Sequence, residues 1–140
     1  MIRQFRLAAL ACACFAFGCA SIVRAEDSPP RKLVEIYRIA PGQHVAFLKM
    51  IAQFDQASRE AGIPPRDLYV HQDGASWDFM LIQNAEYTDE QSAKLDKALD
   101  RLGLPRGVNF FVEIRKYMAE HTDTTVVGPT TAEAWLSKLK

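Results

Sequence analysis

Residues 33–50 read LVEIYRIAPGQHVAFLKM and contain the two local patterns that set the fold. Residues 33–39 are rich in β-branched and aromatic side chains and alternate between two faces, which predicts a β-strand. Pro41 and Gly42 end this strand, and apolar residues at helical spacing then predict an amphipathic helix that runs to about Ala61. The predicted buried stripe of this helix consists of Val45, Leu48, Ile51, Ala52 and Phe54.

The middle of the chain predicts a β-hairpin followed by a second helix. Residues 68–71 and 77–83 have the composition of strands, and the Asp-Gly pair between them is a strong signal for a tight turn. Thr88 and Gln91 match the capping box of a helix N-terminus, and Gly103 matches the glycine that often follows a helix. We therefore expect the second helix between these signals.

The segment Val108–His121 fits two patterns. Alternating apolar residues would suit a strand, whereas apolar residues three and four positions apart would suit a helix. Because the segment is longer than a typical strand, we expect a helix here, with Thr124–Val127 as the fourth strand. Thr130 or Thr131 would then cap a short closing helix.

The order of these elements predicts an α+β fold of the ferredoxin-like type, a βαββαβ sandwich with extra C-terminal helices. Such a four-stranded sheet has its helices on one face only. Both alternating sets of strand residues are apolar, so neither sheet face suits water. We therefore expect residues 33–140 to form a single domain that pairs as a homodimer, with the open sheet faces stacked into a dimeric α/β barrel.

The opening residues 33–50 also resemble the start of dimeric α/β-barrel proteins, especially the NIPSNAP-like and antibiotic-biosynthesis-monooxygenase-like groups. The resemblance rests on the strand, the Pro-Gly turn and the amphipathic helix, and it would extend over about residues 33–129. It implies a paired barrel with a pocket between sheet and helices. Members of these groups include cofactor-free monooxygenases, haem-degrading enzymes and small isomerases. No catalytic motif of theirs is found in this sequence.

Two histidines are candidate catalytic bases. His121 is followed two residues later by Asp123, and such a pair can form an oriented base or two ligands of a metal ion. The structural alternative is a histidine at a helix C-terminus followed by an aspartate in a turn. His71 lies next to the predicted hairpin turn. A three-ligand metal site would also need His71 or Glu35 near His121, so neither a metal nor a cofactor is predicted.

Three residues are candidates for ligand binding. Glu35 and Tyr37 share one face of the first strand, where a carboxylate and a phenol could set the polarity of an apolar pocket. The alternative is that Glu35 pairs with Arg115 or Lys116 while Tyr37 only packs. Trp77 supplies aromatic surface at the start of the third strand.

The absence of known sequence motifs narrows the range of expected functions. The chain contains no GxSxG, Walker, GxGxxG, HExxH or EF-hand pattern, which disfavours common hydrolase and nucleotide-binding classes. We therefore expect a domain that binds a small apolar molecule in a barrel pocket. The alternatives are a cofactor-independent monooxygenase or isomerase-like enzyme, and a structural or interaction module of the cell envelope.

Residues 1–25 have the composition of a signal peptide. A basic start precedes an apolar run from Leu7 to Ala20, and the small residues Val23 and Ala25, at positions −3 and −1, suit cleavage after Ala25. The apolar run is too short for a stable membrane-spanning helix. We expect export to the periplasm or the medium, with residues 26–32 as an extended linker.

All three cysteines lie in this leader. Cleavage after Ala25 would leave a mature chain without disulfides or thiolate metal sites. The alternative is acylation at Cys19, since the residues before it loosely resemble a lipobox, and a lipid there would anchor the protein to a membrane. The leader also holds three of the 17 Lys+Arg and none of the 17 Asp+Glu, so the mature net charge is about −3 and nucleic acid is not an expected partner.

Overall fold

The computed structural model describes residues 29–74 and 76–139. The predicted leader, Cys19 and residues 26–28 of the predicted linker lie outside the described residues. The elements in chain order are β1 (Arg31–Ile39), α1 (His44–Glu60), β2 (Asp67–Val70), β3 (Phe79–Asn84), α2 (Asp89–Leu102), α3 (Val108–Ile114), β4 (Met118–Val127) and α4 (Ala132–Leu136).

The strands form one antiparallel sheet in the order β2-β3-β1-β4. One helix lies between β1 and β2 in the chain, and two lie between β3 and β4. This is the ferredoxin-like α+β arrangement that the order of predicted elements indicated, with α3 and α4 as the additional helices.

The register shows which side chains face the helices. Tyr37 is opposite Phe79 and Glu35 is opposite Leu81, so these residues share one sheet face. Helices α1, α2 and α3 pack on this face. The core between sheet and helices contains Tyr37, Ile39, Phe47, Met50, Ile51, Phe54, Ala57, Phe79, Leu81, Ala98, Leu99 and Ile114.

The opposite sheet face is also apolar. Val34 is opposite Ile82 and Ile36 is opposite Met80, and none of these four residues belongs to the core beneath the helices. The pattern confirms that both sets of alternating strand residues are apolar. We call this surface the open sheet face.

The segment Val108–His121 is not one helix, so that prediction was wrong. Helix α3 ends at Ile114, and β4 begins at Met118 rather than at Thr124. The backbone N–H of Ala40 donates to the carbonyl oxygen of Tyr117 at 2.8 Å, and the chain joins the sheet immediately after this bond. Local periodicity could not find this boundary, because Ile114, Tyr117 and Met118 continue the helical spacing of apolar residues across it.

Two further predictions need correction. β1 begins at Arg31, because Arg31 and Lys32 already pair with β4 and β3, so the predicted linker over residues 26–32 overlaps the strand. The buried stripe of α1 is also rotated from the predicted one. Val45 is 65% exposed, whereas Phe47 is fully buried.

The helix ends follow the predicted signals. The Thr88 side chain accepts from the backbone N–H of Gln91, and the Gln91 side chain accepts from the backbone N–H of Thr88, which completes the capping box of α2. Gly103 ends α2 in the left-handed region at φ 65°. Thr131, rather than Thr130, caps α4. Within residues 29–74 and 76–139, no helix combines the length and the apolar character needed to cross a bilayer.

Candidate functional site

Four of the predicted site residues meet where β1 and β4 pair. Glu35 is directly opposite Asp123, and Tyr37 is directly opposite His121. Residues opposite one another on antiparallel strands point to the same face, which here is the face beneath the helices. We call Glu35, Tyr37, His121 and Asp123 the polar cluster.

Glu35 is the buried carboxylate of this cluster, with 9% of its surface exposed. Its Oε1 accepts from the Tyr37 hydroxyl at 2.9 Å, and its Oε2 accepts from Nε2 of Gln83 at 2.7 Å. The Nε of Arg66 lies 3.9 Å from the same Oε2. These groups offset the cost of removing a carboxylate from water. Glu35 therefore contacts Tyr37, Gln83 and Arg66, and not Arg115 or Lys116 as in the alternative prediction.

Tyr37 links the two strands of the cluster. Its ring is 1% exposed and stacks on the His121 ring, with 4.4 Å between centroids and 20° between planes. Burial, followed by the charge of Glu35, raises the pKa of the Tyr37 hydroxyl far above its ordinary value. The phenol is therefore a neutral hydrogen-bond donor that orients Glu35.

His121 and Asp123 form a close pair on β4. The distance from Nε2 of His121 to Oδ1 of Asp123 is 2.6 Å. Their side chains are 24% and 52% exposed, so the pair is open to solvent on one side. Both residues lie within a strand, so the alternative of a helix end followed by a turn was wrong. An aspartate in this position can orient an imidazole for proton transfer or metal binding.

A second group of polar residues supports Glu35 from the side of the helices. Nη1 of Arg66 donates to Oδ1 of Asp55 at 3.0 Å, and the Tyr87 hydroxyl donates to Oε1 of Gln83 at 3.0 Å. None of these four residues was predicted as a site residue from the sequence. Gln83 could have been found, because it continues the helix-facing alternation after Leu81. Arg66 lies in a connecting segment with no local pattern to indicate its contacts.

His71 and Trp77, the other two predicted site residues, lie apart from the polar cluster. They flank the β2–β3 hairpin connection, and β2 and β4 occupy opposite edges of the sheet. Their ring centroids are 4.8 Å apart. Among the described residues, the buried Nε2 of His71 has no hydrogen-bond partner. The two residues therefore pack on each other rather than on Glu35 or His121.

Asp78 lies close to this second region and closes the end of β1. Its Oδ2 accepts from the backbone N–H of Ile39 at 2.6 Å, and its Oδ1 lies 3.3 Å from Nε2 of His44. The Ile39 hydrogen bond, and then His44, lower the pKa of the Asp78 carboxyl. The Asp78 carboxylate thus accepts the bond from the Ile39 N–H that a carbonyl of a neighbouring strand would otherwise accept, which is a structural role.

An apolar cleft lies between the helices beside Arg66. Its volume is about 300 Å³, and we call it the α3 cleft. Its lining consists of Phe54, Arg66, Asp96, Leu99, Pro105, Arg106, Gly107, Phe110 and Phe111. A neighbouring space of about 220 Å³ shares Phe54, Arg66 and Leu99 with it and extends to Gln83 and Tyr87. Arg66 therefore connects the cleft to the polar cluster, whereas Trp77 is not among the lining residues.

No family model matches the chain, and no curated protein matches it. Solved structures do match. A NIPSNAP family protein from Agrobacterium tumefaciens is 14% identical, with a TM-score of 0.48 over 75% of this chain and 90% of the other. An antibiotic-biosynthesis-monooxygenase-like protein from Nitrosomonas europaea is 16% identical, with a TM-score of 0.46 over 71% and 99%.

A dimeric ferredoxin-like protein from an uncultured marine organism is 11% identical, with a TM-score of 0.45 over 75% of this chain and 91% of the other. The two groups that the sequence resembles are thus among the solved structures that the chain matches. At these identities, no activity and no partner follows from the likeness.

Proposed function

We propose that the protein binds a small, largely apolar molecule in the α3 cleft. The main support is the lining of the cleft, where Phe54, Phe110 and Phe111 provide aromatic surface beside the guanidinium of Arg66. Pockets of this kind combine apolar contact with a few polar groups that orient the ligand. A guanidinium has five N–H donors, so Arg66 can contact Asp55 and Glu35 and still bind an acceptor on the ligand. The ligand class is a small aromatic or aliphatic molecule with one such acceptor.

A neutral fluorescent probe, N-phenyl-1-naphthylamine, tests this proposal. The wild-type protein should bind the probe saturably, and Phe111→Ala should weaken binding about fivefold, since it removes an aromatic contact from the cleft. Val112→Ala is the matched control, because Val112 lies on the same helix with similar exposure (60% against 62% for Phe111) but does not line the cleft. Non-saturable binding, or equal weakening by both variants, would contradict the proposal.

The close pair of His121 and Asp123 favours a second candidate function, cofactor-independent proton transfer of the kind that an isomerase or monooxygenase performs. His121 would act as the base and Asp123 would orient its ring, with the 2.6 Å contact between them as support. The test is deuterium exchange at the α-carbon of a small cyclic ketone, followed by NMR. His121→Asn should remove the activity and His44→Asn should not. Exchange no faster than in buffer would exclude this function for the probe class.

We further propose that the protein forms a homodimer through the open sheet face. Val34, Ile36, Met80 and Ile82 lie on this face, whereas α1, α2 and α3 pack on the other one. Val34 is already buried, whereas Ile36, Met80 and Ile82 are half-buried, and stacking two such faces would remove the rest of their apolar surface from water.

The composition of residues 1–25 supports the proposal that the protein is exported. The intact mass of the protein purified from its own cells tests this. A mass that corresponds to a start at Glu26 is expected, an acylated start at Cys19 is the alternative, and an unprocessed chain would contradict export.

A further inference from the structure

We propose that Glu35, His121 and Asp123 form a binding site for a divalent transition-metal ion of the Zn²⁺ or Mn²⁺ type. Each residue offers one ligand atom, and these atoms all lie within 4.8 Å of one another. An imidazole nitrogen with two carboxylates suits such ions better than Mg²⁺ or Ca²⁺, which prefer oxygen ligands alone. This site is separate from the α3 cleft and does not depend on the ligand proposed there, but it uses His121 and Asp123, so a bound ion would replace the cofactor-independent proton transfer considered above.

The paired strands hold the three side chains on one face. His121 and Asp123 are two residues apart on β4, and Glu35 is opposite Asp123 on β1. Ligand atoms around a four-coordinate ion lie about 3.4 Å apart for bonds near 2.1 Å. The most distant pair must therefore close by at most about 1.4 Å, while Nε2 of His121 and Oδ1 of Asp123, which lie 2.6 Å apart, must separate by about 0.8 Å. The Asp123 side chain is 52% exposed and has room to rotate toward the other two.

The charges around Glu35 favour a bound cation. In the described part of the chain, Glu35 and Asp55 both pair with Arg66, and Asp123 pairs with His121. Three carboxylates and one guanidinium leave an excess of negative charge when His121 is neutral. Because Glu35 is buried, this excess is poorly screened by water, and a divalent ion would balance it.

Neighbouring hydrogen bonds already fix the Glu35 carboxylate. Tyr37 donates to Oε1 and Gln83 donates to Oε2, as the partners of metal-binding carboxylates commonly do. Each carboxylate oxygen has two lone pairs, so it can accept one such bond and also bind an ion. A groove of about 430 Å³ along the start of β4, lined in part by Arg115, Glu120 and His121, reaches one of the three proposed ligands.

Cobalt(II) titration of residues 26–140, which contain the whole described domain and none of the three cysteines, tests the site after purification without a histidine tag and removal of metal with a chelator. One Co²⁺ per chain should bind and give visible d–d absorption, and Zn²⁺ should displace it. His121→Asn and Asp123→Asn should each weaken Co²⁺ binding at least tenfold, because each removes a ligand. Tyr37→Phe should weaken it less, because Glu35 keeps its bond from Gln83.

His44→Asn is the matched control. His44 lies 3.3 Å from Asp78, so it forms a similar pair, but the two have no third ligand in the described residues. Circular dichroism of Asp123→Asn separates loss of a ligand from loss of the fold. The absence of stoichiometric Co²⁺ binding to the wild type would overturn the inference, as would equal weakening by His44→Asn and His121→Asn. Phe111→Ala should leave Co²⁺ binding unchanged, so failure here is distinguishable from failure of the cleft proposal.

Discussion

Tyr37 is the residue on which the geometry of the polar cluster depends most. Its hydroxyl donates to Glu35 and its ring stacks on His121, so one side chain contacts residues of both strands. Burial keeps the hydroxyl protonated well above the pH at which an exposed tyrosine ionises. The Tyr37 hydroxyl therefore keeps the proton that it donates to Glu35 at alkaline pH.

The raised pKa of Tyr37 predicts a loss of stability at alkaline pH. Above about pH 10, tyrosine in the unfolded chain ionises while folded Tyr37 stays protonated, so the folded state binds more protons and the free energy of unfolding falls as pH rises. Tyr37→Phe should reduce this fall. At pH 7 the same variant should lower the free energy of unfolding by about 1–2 kcal/mol, since Glu35 loses a donor. Urea unfolding at pH 7, 9 and 10.5 measures both effects.

The control for this experiment is Tyr69→Phe, because Tyr69 is 49% exposed on the edge strand β2. It should retain the alkaline fall of the wild type. If Tyr37→Phe also retained that fall in full, Tyr37 would not be the group responsible.

The lowered pKa of Asp78 predicts a loss of stability at acid pH instead. Its pKa is lowered in the folded state, first by the Ile39 N–H, so its stabilisation is present at neutral pH and is lost as pH falls through the folded pKa. Asp78→Asn should lower the free energy of unfolding by about 1 kcal/mol at pH 7, a value reduced for partial exposure. The difference from wild type should shrink below pH 4. Asp67→Asn, on the exposed start of β2, is the control, and a difference that persists in acid would contradict the assignment.

At the scale of elements, α2 and α4 begin with the same device but differ in burial. Thr88 and Thr131 each accept from the backbone N–H three residues later. Helix α2 places Ala98 and Leu99 in the core, whereas α4 has no buried residue. The same capping bond should therefore affect global stability in one helix and not in the other.

Thr88→Ala should lower the free energy of unfolding by about 1 kcal/mol, since it removes the capping bond of a helix that packs in the core. Thr131→Ala is the matched change, and it should alter global unfolding by less than about 0.3 kcal/mol, because α4 can fray without exposing the core. Thermal unfolding followed by circular dichroism compares them. Equal effects would show that α4 unfolds together with the domain.

Local patterns predicted the elements where one face was clearly apolar or a cap was present. β1, α1, the hairpin and α2 follow such patterns, and so does the sharing of one face by Glu35 and Tyr37. The boundary between α3 and β4 depends on pairing with the end of β1, where Met118 is opposite Ile39, 79 residues earlier in the chain. For the same reason, His121 could be paired with Asp123 from the sequence, but Glu35 could not be placed opposite Asp123. The contact of Arg66 with Glu35 could not be predicted either.

At the scale of the whole molecule, both faces of the sheet are apolar, and the described helices α1, α2 and α3 pack on one of them. Helix-facing Leu81 is fully buried, whereas Ile82 lies on the open sheet face. A charge at these neighbouring positions would therefore have different consequences. At Leu81 it would disrupt the core, and at Ile82 it would act on the contacts of the proposed homodimer.

Ile82→Asp should convert the proposed homodimer to a folded monomer, because it places a charge in the middle of the stacked faces. Val70→Asp is the control, since Val70 is 53% exposed and faces the other side of the sheet. Light scattering after size exclusion, at about 50 μM, measures the molar mass of each protein. A monomeric wild type would contradict the homodimer.

β4 lies at the edge of the sheet, and among the described residues it pairs only with β1. In an antiparallel edge strand, every second amide points outward and has no strand partner. Hydrogen–deuterium exchange rates should therefore alternate along the ten residues of β4, fast at outward amides and slow at inward ones. Uniformly slow exchange at all β4 amides would show that another strand has joined the sheet beside His121 and Asp123.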